Sequence, residues 1–118
     1  MGTGFHDLQV WQEAKALTVA VYRATDKLKD LSLRDQIRRA AVSIPSNIAE
    51  GDERDTDKDS VRFFYIAKGS LAELRTQLEI AVEVGLLPAT TAEPLLTQAT
   101  ALGRRLGALI KARSPHTP

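Results

Sequence analysis

The segment spanning residues 34–51 constrains the fold most, because it combines a helical apolar spacing with a proline in its middle. Its apolar residues recur at intervals of four, three and four positions, which is one face of a helix and not the alternation of a strand. These residues are Ile37, Ala41, Ile44 and Ile48. Pro45 lacks an N–H and its ring collides with the carbonyl of Ala41, so we expect a second helix that is kinked at this proline.

Helical spacing also occupies the rest of the chain, and the links between the helical segments are short. We predict helices over about residues 8–29, 33–50, 57–84 and 92–112, with a frayed tail over residues 114–118. The sequence shows no strand signal and no internal repeat. The prediction is therefore an all-α fold, an antiparallel up-down-up-down four-helix bundle that forms a single domain over residues 1–118.

Capping residues and helix breakers set the predicted helix limits. The predicted N-caps are Asp7, Ser32, Thr56 and Thr91. Gly51 and Gly85 are predicted to close the second and third helices, and Pro94 to lie in the first turn of the fourth.

Composition excludes several classes of protein. The 118 residues include no cysteine, so disulfides, thiolate metal sites and a cysteine nucleophile are excluded. No apolar run reaches the roughly 18 to 20 residues that cross a bilayer, and no signal peptide is visible, so we expect a cytoplasmic protein without a membrane partner. The net charge of +1 gives no global electrostatic case for nucleic acid.

No residue constellation predicts catalysis or a cofactor. The two histidines, His6 and His116, belong to no Glu-x-x-His pair of the kind that holds metals in helical bundles. Ser43 and Ser70 have no histidine or lysine partner that the sequence can position beside them. The seven glycines form no phosphate-binding pattern. We therefore expect a protein that is not an enzyme and has no cofactor or metal site.

A set of polar residues lies on the second and third helices, at or beside their apolar faces. It comprises Ser43, Asn47 and Glu50 of the second helix, close to Pro45, and Ser70, Glu73 and Gln77 of the third helix. Because buried polar groups need partners, we interpret the set as a structural network that fixes the register of the two helices. In a functional alternative, Asn47 and Glu50 line a subunit contact or a small pocket at the kink.

Several apolar residues lie off the main apolar faces, namely Val10, Leu17, Phe63, Ile66, Ile80 and Val84. Surplus apolar surface of this kind predicts a second buried interface, most simply self-association. The alternative is a wide core-facing stripe with a few scattered exposed residues.

Basic residues form two candidate nucleic-acid contacts. One is at the start of the second helix and the other is near the end of the fourth. The candidates are Arg34, Arg38 and Arg39 in the first group, and Arg104, Arg105, Lys111 and Arg113 in the second. An i, i+4 pair of Asp35 with Arg39 would weaken Arg39 as a phosphate contact, and the second group also complements a helix dipole.

Three separated motifs carry a family resemblance: FHDLQVWQEA at residues 5–14, QIRRAAVSIPSNIAEG at 36–51 and FFYIAKGSLAELRTQLEIAVEVGLL at 63–87. They resemble the four-helix-bundle proteins encoded in intervening sequences of bacterial large-subunit ribosomal RNA genes. The resemblance implies a homopentamer around a central channel. It also implies a distant relationship to the accessory protein of diversity-generating retroelements, which binds reverse transcriptase and nucleic acid. Those accessory proteins are strongly basic, whereas this chain is nearly neutral.

Two functions follow from these expectations. The first is a non-enzymatic homo-oligomer, pentameric by the resemblance, that binds RNA or DNA through basic patches repeated in every subunit. The second is a protein-interaction scaffold, in which the same oligomer binds another protein through its apolar stripes and the kink of the second helix, and has no role with nucleic acid.

Overall fold

The computed structural model describes residues 4–114. A short 3-10 helix over Gly4–Asp7 precedes four α-helices: α1 over Gln9–Ala24, α2 over Leu31–Asp52, α3 over Asp57–Glu83 and α4 over Ala89–Arg113. No strand occurs in this part of the chain, so the all-α, four-helix fold is confirmed. Most of the predicted frayed tail, and His116 with it, lies outside the described residues.

The four helices enclose one apolar core. The helices pack in a closed cycle, in which α1 contacts α2 and α4, α3 contacts α2 and α4, and the interface between α2 and α3 is the most extensive. The largest fully buried side chains include Leu17, Ile37, Ile44, Ile48, Phe64, Leu74, Leu78, Leu102 and Leu106. The prediction that Val10 and Leu17 lie off the main apolar faces is wrong, because both are buried in this core.

Contacts between neighbouring helices show how they run. Between α1 and α2, the Thr18 hydroxyl donates to the Ala41 carbonyl, and Arg38 donates to the Thr25 hydroxyl. The contacting residues rise in number along α1, from Thr18 to Thr25, and fall in number along α2, from Ala41 to Arg38. The up-down-up-down order of the complete bundle stays a prediction.

The turn between α1 and α2 is longer than the sequence predicts. α1 ends at Ala24 instead of continuing to residue 29; Thr25 is its C-cap, and the Thr25 hydroxyl donates to the Val21 carbonyl at 2.8 Å. α2 then begins two residues earlier than predicted, and Asp30, not Ser32, is its N-cap. The Asp30 carboxylate accepts the Leu33 N–H at 2.9 Å.

The N-terminal limits of α1 and α4 also differ from prediction. Leu8 is the N-cap of α1 in place of Asp7, and Pro88 is the N-cap of α4 in place of Thr91; neither provides a side-chain cap. Since α4 begins at Ala89, Pro94 lies in its second turn and not in its first. By contrast, Thr56 caps α3 by accepting the Asp59 N–H at 3.2 Å.

Gly51 and Gly85 have different roles. Gly85 follows the end of α3 with a φ of 78°, and the Leu86 N–H donates to the Ala81 carbonyl, which is a Schellman termination. Gly51 does not close α2, because the helix continues to Asp52; Gly51 is a buried residue inside it. α2 is also continuous through Pro45, so the proline does not divide it, while the kink stays a prediction.

Candidate nucleic-acid interface

The basic residues at the start of α2 lie in three different environments. Arg34 is partly buried; its Nε lies 3.6 Å from the Asp35 carboxylate and has no hydrogen-bond partner among residues 4–114. Because Asp35 approaches Arg34, the predicted pair of Asp35 with Arg39 is wrong. Arg39 is exposed and forms no ion pair or hydrogen bond within residues 4–114.

Arg38 is fixed against α1 by uncharged groups. Its Nε donates to the Thr25 hydroxyl at 3.0 Å, and its Nη2 donates to the Tyr22 carbonyl, also at 3.0 Å. The guanidinium carbon lies 4.5 Å from the centroid of the Tyr22 ring. Within the described part of the chain, no carboxylate lies within ion-pairing distance of Arg38, so its charge is not neutralised locally.

Two open depressions adjoin the Arg38–Tyr22 pair. One has a volume of about 550 Å³ and is lined by Tyr22, Asp35, Arg38, Arg39, Val42 and Ser43. The other has a volume of about 530 Å³ and is lined by Tyr22, Arg23, Asp26 and Arg38. Each depression therefore combines the aromatic ring with at least two arginines and one aspartate.

The second basic group is divided between paired and unpaired side chains. Arg105 forms an ion pair with Glu13 of α1, and Arg113 forms one with Asp52 of α2 at 3.2 Å. Both arginines thus hold α4 against other helices. Arg104 and Lys111 are exposed, without an ion pair or hydrogen bond in residues 4–114, and their spacing of seven positions puts them on one face of α4.

Only part of the predicted polar set forms a network. The Ser43 and Ser70 hydroxyls share a hydrogen bond of 2.8 Å between α2 and α3. The Asn47 amide donates to both the hydroxyl and the carbonyl of Ser43, at 2.9 and 2.8 Å. In a continuous helix the Ser43 carbonyl accepts the backbone N–H of Asn47, so the Asn47 side-chain amide is a second donor to this carbonyl, two residues before Pro45.

The other three members of that set lie apart from this network. Glu50, in the last turn of α2, pairs at 2.6 Å with Arg54 of the exposed turn that follows. Glu73 is exposed, and the side-chain carbonyl oxygen of Gln77 is buried without a hydrogen-bond partner in the described chain. The network therefore joins three residues instead of six.

An exposed apolar stripe runs along α3. Ile66, Ile80 and Val84 are 43%, 44% and 61% exposed, and they share one helical face with Gly69, Glu73 and Gln77. We call these six residues the α3 stripe. Phe63 is nearly buried and does not belong to it, since the guanidinium groups of Arg54 and Arg62 lie over its ring at 4.4 and 4.6 Å.

Tyr22 is the residue at this interface that sequence reasoning missed. It is 41% exposed and lies off the buried face of α1. An aromatic residue beside that face, followed by Arg23 and by the basic start of α2, was the available signal. Its contact with Arg38 depends on the turn between α1 and α2, which the predicted helix over residues 8–29 does not contain.

Two general properties of residues 4–114 bear on the kind of site. No three or more side chains of the metal-binding types cluster there. In the same part of the chain, no helix combines the length and apolar character needed to cross a membrane.

Comparison with known proteins gives a family and a fold. The model of a family described as 23S rRNA-intervening sequence protein matches residues 6–108. A crystal structure of a protein with unknown function from the S23 ribosomal protein family of Bacteroides thetaiotaomicron VPI-5482 aligns with a TM-score of 0.81 and 21% identity. The alignment covers 86% of this chain and 98% of that one, and at this identity it establishes the fold alone. No curated protein sequence matches the chain.

Proposed function

Since this chain belongs to the 23S rRNA-intervening sequence protein family, we propose that it is a non-enzymatic, self-associating bundle that binds RNA through the basic start of α2. The RNA proposal rests on the net charge of residues 22–39. This segment holds six basic residues and three acidic ones, a net charge of +3, whereas the whole chain carries +1. The turn over residues 25–30 is itself neutral, so the excess positive charge lies on the end of α1 and the first turns of α2.

The pairing of the arginines supports the same surface. Phosphate contacts require cations that are not already neutralised by carboxylates. Arg38 contacts only uncharged groups and Arg39 is exposed and unpaired within residues 4–114, whereas Arg105 and Arg113 are engaged in ion pairs. Arg104 and Lys111 are a second candidate contact, because they are the members of their group that remain free in the described chain.

Self-association is proposed to bury the α3 stripe. Three apolar side chains that are 43% to 61% exposed on one helical face favour a protein contact. An oligomer of five chains, the number implied by the family resemblance, would bury this face in each subunit. It would also carry five copies of the basic segment. Several weak sites on one particle bind RNA more tightly than one site does.

Size-exclusion chromatography with light scattering tests both parts of the proposal. The purified protein should have the mass of several chains, and after mixing with RNA it should elute as a complex that dissociates as salt is raised. A monomer would contradict the self-association, and an oligomer that leaves RNA unbound at low salt would contradict the RNA function. DNA of the same sequence, run in parallel, shows whether binding is restricted to RNA.

A charged substitution in the α3 stripe tests the interface itself. Ile80→Glu should lower the mass measured by light scattering, because a carboxylate would be buried in the subunit contact. Val19→Glu is the matched control, since Val19 is 41% exposed on α1, outside the stripe. An Ile80→Glu variant with the mass of the unmodified protein would exclude this face as the interface.

The second candidate is a protein-interaction scaffold, and the same α3 stripe favours it. In that case the exposed apolar residues would bind a different protein, and the oligomer would have no role with nucleic acid. Such binding would depend little on salt and would be lost in Ile80→Glu. Salt-sensitive RNA binding by the unmodified protein would argue against this candidate.

A further inference from the structure

The Arg38 side chain is held in a single orientation beside Tyr22. Its two hydrogen bonds, to the Thr25 hydroxyl and to the Tyr22 carbonyl, leave the guanidinium carbon 4.5 Å from the centre of the Tyr22 ring. Thr25 is fully buried, and its own hydroxyl donates to the Val21 carbonyl at 2.8 Å. The guanidinium is therefore supported from α1 by two hydrogen bonds, one of them to a buried hydroxyl.

The surroundings of this pair suit a planar, uncharged group better than a phosphate. Tyr22 is 41% exposed and lines both of the depressions described above. In one depression Arg39 is accompanied by Asp35, and in the other Arg23 is accompanied by Asp26. One carboxylate in each depression would repel a phosphate placed beside the ring, while the flexible side chains of Arg23 and Arg39 can reach phosphates at the edges.

We propose that Tyr22 and Arg38 form a stacking platform for an unpaired base of single-stranded RNA, with Arg23 and Arg39 contacting the flanking phosphates. The inference rests on the proposed RNA-binding function and narrows its ligand. Unstacked bases bind to tyrosine rings and to arginine guanidinium planes, whereas the bases of a duplex are already stacked on one another. A platform of this kind therefore selects single strands, loops or bulges over continuous duplex.

A purely structural role for the same pair makes a different prediction. If the cation–π contact only ties α1 to α2, removing the ring lowers stability and leaves RNA affinity unchanged in the folded protein. If the pair is a platform, removing the ring lowers the affinity for single-stranded RNA in protein that remains folded. The two roles are therefore separable by measuring binding and thermal unfolding on the same variants.

The test uses the full chain with single-stranded RNA that carries one 2-aminopurine, and with a duplex of the same length. Tyr22→Ala should weaken single-strand binding about 5- to 150-fold, the effect of removing one stacked base. Its salt dependence should stay unchanged, because no phosphate contact is removed. Tyr22→Phe should bind as the unmodified protein does, since it keeps the ring. Tyr65→Ala is the matched control, because Tyr65 is an exposed tyrosine on α3.

The outcomes separate the platform from the function on which it rests. Quenching of 2-aminopurine on binding, lost in Tyr22→Ala and kept in Tyr22→Phe and Tyr65→Ala, is the expected result. Single-strand binding by Tyr22→Ala at the affinity of Tyr65→Ala overturns the platform and leaves RNA binding intact. Preference for the duplex also overturns it. If the unmodified protein binds no RNA at low salt, the proposed function fails and the platform fails with it.

Discussion

Gly51 of α2 and Phe64 of α3 pack so closely that a β-carbon on Gly51 would lie 2.7 Å from Cε1 of the Phe64 ring. The same β-carbon would lie 3.0 Å from the backbone carbonyl oxygen of Ser60. Phe64 is fully buried, and a backbone carbonyl moves only with its helix. The absence of a side chain at Gly51 therefore sets the distance between α2 and α3 near their connecting turn.

Gly51→Ala should destabilise the protein, because neither contact can move away cheaply. We expect a loss of about 1–3 kcal/mol, the usual effect of overpacking a core. Gly107→Ala is the control, because a β-carbon on Gly107, inside α4 and outside the α3 stripe, would meet no side chain or neighbouring helix of the described chain within 4 Å. This substitution should stabilise the protein by roughly 0.5–1 kcal/mol. Urea unfolding at one fixed protein concentration measures both, and equal effects of the two substitutions would contradict the close contact.

The N-cap of α2 gives a second prediction. Asp30→Ala should cost about 0.5–2 kcal/mol, because the Leu33 N–H loses its acceptor. Ser32→Ala, at the position where the sequence alone predicts the cap, should change stability by less than about 0.5 kcal/mol. Thermal unfolding followed by circular dichroism distinguishes them, and a larger effect at Ser32 would show that the helix begins where the sequence predicts.

The hydrogen bond between Ser43 and Ser70 gives a third prediction. Each single substitution to alanine should destabilise by about 0.5–1.5 kcal/mol, because the remaining hydroxyl loses its partner across the interface. The double substitution should cost less than the two single effects together, since it leaves no unpaired hydroxyl. A double-mutant cycle measures this difference. Additive effects would mean that the two hydroxyls are not coupled.

Much of the fold follows from sequence periodicity. The positions of Ile37, Ile44 and Ile48 on one face of α2 are fixed by spacing, and all three are fully buried. Helix ends were less predictable, since several side chains compete for the same role. Asp30 and Ser32 are both good N-cap residues two positions apart, and the choice depends on how the preceding turn packs.

Gly51 shows why the remaining details required the structure. A glycine after a run of helical residues is typical of a helix end, but here the helix continues and the glycine accommodates a ring from another helix. The details of the candidate interface also required the structure. The basic residues were visible in the sequence, but which of them are paired depends on contacts such as those of Arg105 with Glu13 and of Arg38 with Tyr22. These contacts join residues that are distant in the chain.

The most direct test of the account is the salt dependence of single-stranded RNA binding by the unmodified protein and by Arg39→Ala. Arg39 is exposed and unpaired in residues 4–114, so its removal should leave the fold intact. Affinity should fall, and the slope of log K against log salt should decrease by about 0.7 for each Arg39 in contact with RNA. Lys58→Ala, which removes one exposed cation from the first turn of α3, beyond the opposite end of α2, should match the unmodified protein. An Arg39→Ala variant with unchanged affinity and slope would contradict the account.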